Sequence, residues 1–583
     1  MASTSEARST DTPSSRAFPG WLGHPLVEAL CIAALALTLH LVGNGRISLF
    51  DRDEPRYAQC AREMRQSGDW LRPTFNGEPR YHKPVLIYWL MQAGTAIGGD
   101  NPFGARLVSA LMGAATVMIT WGLGRSMLGP LGGRLAALML ACAPIAVAEA
   151  KMATTDATLA AFVVGGQALL WRLAKGPSRS AALGFWALMA LAFLTKGPVG
   201  PALVACAGIV SWWWGGPTAC WRRLHWRWGL LLFVALVAPW FITIGWLSRG
   251  EFFRFALGSQ LVDRVARGVE NHGAFPGYYL VTMLGCFHPW SALMPAAILA
   301  GWKQRRERPE LGFLLGWVVG PWVLLECVQT KLIHYYLPAL PGAALLVSWL
   351  VGEVLASGVS VRRWRLGRLA MGLLGGTALA GAVGMVALAW VFPAPMRWPL
   401  LTLAALVFCG TLFAIDRFRM ADTRRAVYGL VTTWSLVMFL TGAWCLPSAE
   451  PFRVSGTVAA KLHEWSDKES ARPILANFQQ PSVIYAYGGP IGVINSYEEL
   501  LERLESGKPL VAALRDVDLD RIAMLPEISV SVRETIRGFN IDKGVKEKLV
   551  LARLDLRTAS APALTRRDGA GTGTLAGEQI DVE

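Results

Sequence analysis

Two short groups of residues, Asp53-Glu54-Pro55-Arg56-Tyr57 and Arg80-Tyr81-His82-Lys83-Pro84, carry the densest chemistry in this chain, and they follow its first long apolar run. Ionisable side chains beside a bilayer are costly to keep, and they mark functional sites. A carboxylate such as Asp53 gains nothing from snorkelling at a span end. It can take a proton, orient a nucleophile or stabilise developing positive charge. Cations such as Arg56 and Lys83 suit an anionic, phosphate-bearing ligand.

Similar residues recur further along. Lys151 and Asp156 bracket the start of an apolar run, Lys196 lies in Thr195-Lys196-Gly197-Pro198, and Arg264, Arg267, Glu270, Asn271 and His272 precede Pro276-Gly277-Tyr278-Tyr279. Lys331, His334, Tyr335 and Tyr336 open a later run. Several of these have a plainer reading. Lys196 and Lys331 also suit snorkelling anchors, the tyrosine pairs an aromatic belt, and His272 and His334 hydrogen-bonded interface residues. Asp53 and Asp156 resist such readings.

The scaffold that must position them follows from composition. Of 583 residues, 53% are hydrophobic and 17% charged, with a mean hydropathy of +0.38 and 25 tryptophans. Apolar runs near twenty residues, enough to cross a hydrocarbon core of about 30 Å, define a polytopic α-helical membrane protein. They lie at 21–42, 104–127, 132–149, 156–174, 180–195, 198–214, 228–247, 278–301, 311–328, 332–352, 367–392, 398–415 and 426–446, which predicts thirteen transmembrane helices. The first reads as an uncleaved span, since no compact basic segment precedes it and no small-residue cleavage site follows cleanly.

Short cytoplasmic loops carry excess Lys and Arg. Every second connection here is basic: Arg125 and Arg134; Arg172, Lys175 and Arg179; Arg222, Arg223 and Arg227; Lys303, Arg305, Arg306 and Arg308; Arg362, Arg363, Arg365 and Arg368; Arg417, Arg419, Arg424 and Arg425. The alternation holds when Val85 to Gly98 is set aside as too short to cross. The segments from Asp53 to Met64 and from Pro84 to Ala96 then read as interfacial helices in the first outer loop. The N-terminus is cytoplasmic on this reading, and every residue singled out above is extracytoplasmic.

The membrane domain accordingly runs over 21–446 and a small extracytoplasmic, periplasmic α/β domain over 447–557, with disordered ends at 1–20 and 558–583. In the outer domain, short apolar runs (Ile474 to Ala476, Val483 to Tyr487, Ile491 to Ile494, Leu510 to Leu514) alternate with helix-like stretches such as Ser496 to Glu505, and Ile528 to Val532 and Lys548 to Leu554 read as further strands. The net charge of +15 sits in short loops beside spans, which argues against a nucleic-acid partner. Nine scattered cysteines without a C-x-x-C offer neither a disulfide framework nor a cysteine-built zinc site. No repeat or nucleotide-binding fingerprint is visible.

At these residues the chain resembles the lipid-linked glycosyltransferases of the GT-C superfamily, and within it the bacterial lipid A aminoarabinose transferase group, related to the protein O-mannosyltransferases. Asp53-Glu54-x-Arg56-Tyr57, Arg80-Tyr81-x-Lys83-Pro84 with Tyr88-Trp89, Thr195-Lys196-Gly197, and the segment from Arg264 to Tyr279 carry the likeness, over about residues 20–350. The resemblance implies transfer of a sugar from a polyprenyl (undecaprenyl) phosphate donor to lipid A, another envelope glycan or a protein, outside the inner membrane. Breaking the sugar–phosphate bond leaves positive charge on the ring and a phosphate that cations must hold. Lys83 and Arg264 are assigned to that phosphate, with Lys196, Lys331 and Tyr335 as helpers, and Glu54, Arg56, Tyr57, Tyr81 and His272 complete the substrate-binding set. Asp53 is the first candidate for the catalytic carboxylate and Asp156 the second. Where the acceptor is itself a phosphate, already nucleophilic, Asp53 acts electrostatically. A single displacement inverts the anomeric centre.

One position departs from the pattern. The aminoarabinose transferases carry Glu just before the Lys-Pro pair, where this chain has His82. His82 and His272 are then the candidate ligands of a divalent metal ion, a sparse set for such a site. The sugar stays open among aminoarabinose, hexose and uronic acid. The competing class is a transporter or flippase of an anionic lipid or solute, whose folds carry internal repeats and mid-membrane polar residues; neither is visible here.

Overall fold

Backbone polar groups in a bilayer must be satisfied within their own segment, and the apolar runs accordingly form helices throughout. The computed structural model describes residues 24–51, 53–258, 274–357, 365–477, 480–540 and 545–557. The ends read as disordered, 1–20 and 558–583, and the segment holding Arg264 and His272 lie outside the described residues. The protein is a mostly helical, polytopic membrane protein. Among the described residues, seven helices are long and apolar enough to cross a membrane: Pro102–Ala141, Asp156–Lys175, Trp226–Leu247, Ile333–Ser357, Arg365–Val391, Ala394–Arg419 and Thr423–Phe452.

Helix α1 spans Pro25–Leu41 and α2 spans Asp53–Ser67, followed by a two-residue hairpin of β1 (Thr74–Phe75) and β2 (Glu78–Pro79). The 13 residues of α3, Leu86–Gly98, measure about 20 Å at 1.5 Å per residue, short of a hydrocarbon core of about 30 Å. Helix α4, Pro102–Ala141, contains the expected span at 104–127 and the first part of that at 132–149. Gly129 (φ 81°) and Pro130 break it, and its halves fold back on one another, so that a methyl group on Gly124 would lie 2.7 Å from the Gly133 Cα. Helices α5 (Pro144–Ala150), α6 (Asp156–Lys175), α7 (Arg179–Lys196) and α8 (Val199–Trp213) follow.

Close helix packing in a membrane relies on small residues. Gly316 and Gly320 on the helix Pro309–Glu326 press against Ser211 and Cys206 of α8, where an added methyl group would meet atoms at 2.5 Å. The helices Trp226–Leu247 and Arg365–Val391 bury little of themselves. Trp228, Trp246 and Trp390 on them are exposed, the outward apolar surface that lipid covers.

The chain divides into two compact units, one of residues 1–456, 480–490 and 538–546, the other of 457–479, 491–537 and 547–583. The second unit is built on a five-stranded sheet in the order β4-β3-β5-β7-β6, from β3 (Arg472–Ala476), β4 (Gly492–Ile494), β5 (Leu510–Arg515), β6 (Ile528–Asn540) and β7 (Val545–Leu556). β3 pairs parallel with β4 and β5, and β7 pairs antiparallel with β5. Leu510 to Leu514 are all buried, as befits a central strand covered on both faces. The helices Tyr497–Glu505 and Asp516–Ala523 contribute Leu500, Leu504 and Ile522 to its core.

One apolar run departs from the expected pattern. Val483 to Tyr487 belongs to the helix Pro481–Tyr487, which begins on a proline, ends at Gly488 (φ 83°) and packs on α2 within the first unit. The proline and the left-handed glycine favour a short helix over a strand.

Candidate functional site

The connection from α1 to α2 turns its carbonyl groups toward cations. The Arg106 guanidinium donates to the carbonyls of Asn44 (2.9 Å), Ile47 (2.9 Å) and Ser48 (3.1 Å), and that of Arg453 to Ser48 (3.1 Å) and Leu49. Lys151 Nζ donates to the Val42 carbonyl and to Asn44 Oδ1 (3.2 Å). Burial, reinforced by Arg106 nearby, lowers the Lys151 pKa to about 8. Glu54 completes the knot: each of its oxygens accepts one Arg106 N–H (2.8 Å each), Oε2 also that of Phe50 (2.8 Å) and Oε1 that of Ala153 (2.6 Å).

Glu54 is therefore a correction to the sequence reading, which placed it among the substrate ligands. It is fully buried, with its oxygens occupied by protein donors, and it braces the loop. Asp53, one residue earlier, is exposed. The same helix turn sends the two neighbours in different directions.

Asp156 begins α6 and Lys196 ends α7; because these helices run antiparallel, the two meet at one end of the bundle. Lys196 Nζ donates to Asp156 Oδ1 at 2.7 Å and sits 4.7 Å from the Tyr335 ring centroid. Neither side chain of the ion pair is more than 12% exposed, which removes the snorkelling reading of Lys196. Asp156 Oδ2 accepts from the Thr155 hydroxyl (3.3 Å) and faces His334 Nε2 at 3.9 Å. The other ring nitrogen of His334 lies 3.7 Å from Glu149 Oε1. Lys83 interacts electrostatically with Asp156 and His334, and Asp53 with His334 and Tyr57. Asp53, Tyr57, Lys83, Glu149, Asp156, Lys196, His334 and Tyr335 thus form one charged constellation.

Other expected site residues take separate surroundings. Tyr57 is buried 6.0 Å from the Tyr88 ring, and burial, aided by Asp53, raises its pKa and keeps the phenol protonated. Arg56 is half-buried on α2. Tyr81 packs edge-on against Phe252 at 6.0 Å, near Glu251 and Arg72.

Lys331 is a second correction. Buried, it bonds Glu326 (3.4 Å) and the Ala274 carbonyl (3.2 Å), and Glu326 also accepts the N–H groups of Gly277 (3.1 Å), Tyr279 (3.3 Å) and Trp322 (3.1 Å). Its charge is taken up in bracing this segment. Tyr279 and Tyr336 are buried, the latter bonding the Val318 carbonyl at 2.6 Å, so they form no lipid-facing belt. Arg264 and His272 lie outside the described residues.

Among the described residues, no group of three His, Cys, Asp or Glu side chains could hold a metal ion. His82 packs its ring 4.7 Å from that of Phe255. His334 sends one nitrogen toward each of two carboxylates, an arrangement that bridges where a metal ion would need converging ligands.

Arg106, Glu149 and Glu326 escape the sequence reading, and His334 enters it only as an interface residue. The available signal was weak but physical: each is an ionisable group within or at the end of an apolar run, where charge is costly without a partner. Nothing local names those partners.

Residues 82–243, which include Lys83, Asp156 and Lys196, match the family described as dolichyl-phosphate-mannose-protein mannosyltransferase. The chain is 31% identical over 371 residues to undecaprenyl phosphate-alpha-4-amino-4-deoxy-L-arabinose arabinosyl transferase 2 of Pseudomonas fluorescens; the match covers 59% of this chain and 62% of that protein, less than two thirds of its length. It is 27% identical over 414 residues to the transferase of that description from Serratia proteamaculans, covering 67% and 72% of the two chains. The crystal structure of ArnT from Cupriavidus metallidurans bound to undecaprenyl phosphate superposes with a TM-score of 0.73 at 21% identity, over 91% of this chain and 98% of that one, a likeness of fold. In motif, sequence and fold together, the chain resembles the GT-C glycosyltransferases of the lipid A aminoarabinose transferase and protein mannosyltransferase type.

Proposed function

We propose that this chain is an integral-membrane glycosyltransferase that moves a sugar from a polyprenyl phosphate donor, undecaprenyl phosphate in bacteria, to an extracytoplasmic acceptor such as lipid A, another envelope glycan or a protein. The observation that carries the reading is the buried Asp156–Lys196 pair, set with Lys83 and Asp53 at one end of the bundle. Cations and carboxylates concentrated there suit a reaction that separates a phosphate from a sugar ring.

The bond from the anomeric carbon to the phosphate oxygen breaks as the acceptor oxygen bonds to that carbon. Lys83 and Arg264 hold the departing phosphate, and Lys196 against Tyr335 extends the positive wall. Asp53 takes the proton of a hydroxyl acceptor, or stabilises the ring charge where the acceptor is already an anion. One displacement inverts the anomeric centre.

The protein crosses the inner membrane thirteen times on this reading, with a cytoplasmic N-terminus and a periplasmic α/β unit. Support comes from α6, whose 20 residues from Asp156 to Lys175 span about 30 Å and separate the site from the basic connections that mark a cytoplasmic face. Purified protein supplied with radiolabelled undecaprenyl-phosphate sugars and envelope acceptors tests the activity. Wild type should transfer label and Asp53→Ala should not; no transfer by the former, or full transfer by the latter, rejects the reading. Mass spectrometry of envelope glycans from a deletion strain then identifies the sugar and its acceptor.

A further inference from the structure

Glu149 and His334 stand in the site with no role assigned above. Glu149 lies in the last turn of α5 with its side chain 6% exposed, and its Oε2 accepts from the Thr154 hydroxyl at 3.2 Å. Among the described residues, the cation-forming group within 4 Å of it is the His334 ring, Nδ1 lying 3.7 Å from Oε1. The opposite ring nitrogen faces Asp156 Oδ2 at 3.9 Å, while Asp156 Oδ1 is held by Lys196. Both separations exceed a hydrogen bond yet lie within ion-pair range. The imidazole stands between two carboxylates, one nitrogen toward each, with 23% of its side chain still open.

Charged groups reach this ring from several elements: Glu149 from α5, Asp156 from α6, Lys196 from the end of α7, Asp53 from α2 and Lys83 from the turn before α3. Tyr335 lies edge-on to it at 5.1 Å. Asp156 already has its counter-ion in Lys196. Glu149 has a hydroxyl and the imidazole. A buried carboxylate with so little compensation is unfavourable as an isolated anion. A proton placed on either member of the Glu149–His334 pair removes that cost, and histidine ionises in the physiological range.

We propose that Glu149 and His334 hold one proton between them, and that His334, so paired, is a positioning residue that fixes Asp156 Oδ2 for transfer. This rests on the glycosyltransferase reading. With the proton present the pair carries no net charge, and the His334 ring holds Asp156 in a single orientation. As pH rises and the proton leaves, the shared partner is lost and transfer declines.

The test joins kinetics with a readout that needs no turnover. The pH profile of kcat/KM is measured for wild type and His334→Gln, and the ring nitrogens of His334 are titrated by 15N NMR in detergent micelles for wild type and Glu149→Gln, with assignment by difference from His334→Gln. The wild-type profile should show an alkaline limb that His334→Gln lacks. At the wild-type optimum that variant should lose about tenfold in kcat, with the donor KM changed less than about twofold. Glu149→Gln should move the His334 midpoint down by about one unit, since a carboxylate that favoured the imidazolium is gone. A profile of unchanged shape in His334→Gln, or a His334 midpoint indifferent to Glu149→Gln, overturns the proposal. Absence of transfer by wild type would reject the glycosyltransferase reading, and the titration would still judge the pair. Glu149→Asp, which retracts the charge, replaces Glu149→Gln in the titration if the latter does not fold.

Discussion

Glu54→Gln and Asp53→Asn, neighbouring substitutions of the same kind, should have opposite consequences. Glu54 and Arg106 are both essentially inaccessible, and each carboxylate oxygen accepts one guanidinium N–H and one backbone N–H. Whichever way the Gln amide is turned, its NH2 group faces one Arg106 donor and one backbone donor. Each buried donor left without an acceptor costs about 1–3 kcal/mol, and breaking one side of a buried ion pair costs about 3–5 kcal/mol. The two estimates overlap, so Glu54→Gln should destabilise the protein by about 3–5 kcal/mol. Asp53 is exposed, and Asp53→Asn should change stability by no more than about 0.5 kcal/mol while lowering transfer about 100- to 1000-fold. Unfolding by SDS titration in mixed micelles measures the first quantity and label transfer the second. Glu54→Gln within about 1 kcal/mol of wild type, or Asp53→Asn as unstable as Glu54→Gln, would refute the division of roles.

Lys196→Met should destabilise by about 3–5 kcal/mol by stranding the Asp156 charge, and Asp156→Asn in the same chain should recover most of the loss without restoring transfer; a double variant as unstable as the single would count against the buried-charge argument. Arg62 bonds Asp100 (3.1 Å) and the Tyr485 carbonyl (2.7 Å) and stacks on the Tyr485 ring, so Arg62→Ala should release the helix Pro481–Tyr487 from α2. Limited proteolysis should then cut faster within residues 480–490, and an unchanged cleavage pattern would refute that anchoring. The lowered pKa of Lys151, about 8 against the ordinary lysine value of 10.5, gives a pH dependence of known sign. Above pH 8 the folded protein sheds this proton before the unfolded chain does, so the stability of wild type relative to Lys151→Met should rise between about pH 8 and 10.5. A constant or falling difference across that window, measured by thermal unfolding, would contradict the burial.

Much of the scaffold was legible because bilayer chemistry is written locally. Asp53–Ser67 and Leu86–Gly98 are helices close to the ranges expected for the first outer loop, and the carboxylate and lysine of Asp156 and Lys196 stood out because charge at a span end needs a reason. Local pattern misled where a fragment found its partner far along the chain. Val483 to Tyr487 has the composition of a strand, but its proline start, glycine stop and contact with α2 make it a helix.

Composition, run length and the distribution of basic loops by themselves determine a polytopic helical membrane protein, and the motifs around Asp53, Lys83 and Lys196 single out the residues proposed for a chemical role. Which charges are taken up by partners within the protein was decided only by tertiary structure. Glu54 and Lys331 are as polar on paper as Asp53, yet Arg106 and Glu326 neutralise them. Glu149 and His334 acquire meaning only when α5 and the segment opening at Ile333 bring them within 3.7 Å. The reason is physical: sequence specifies the charge on a side chain, whereas its free energy in a low-dielectric interior depends on the counter-charges that folding places beside it.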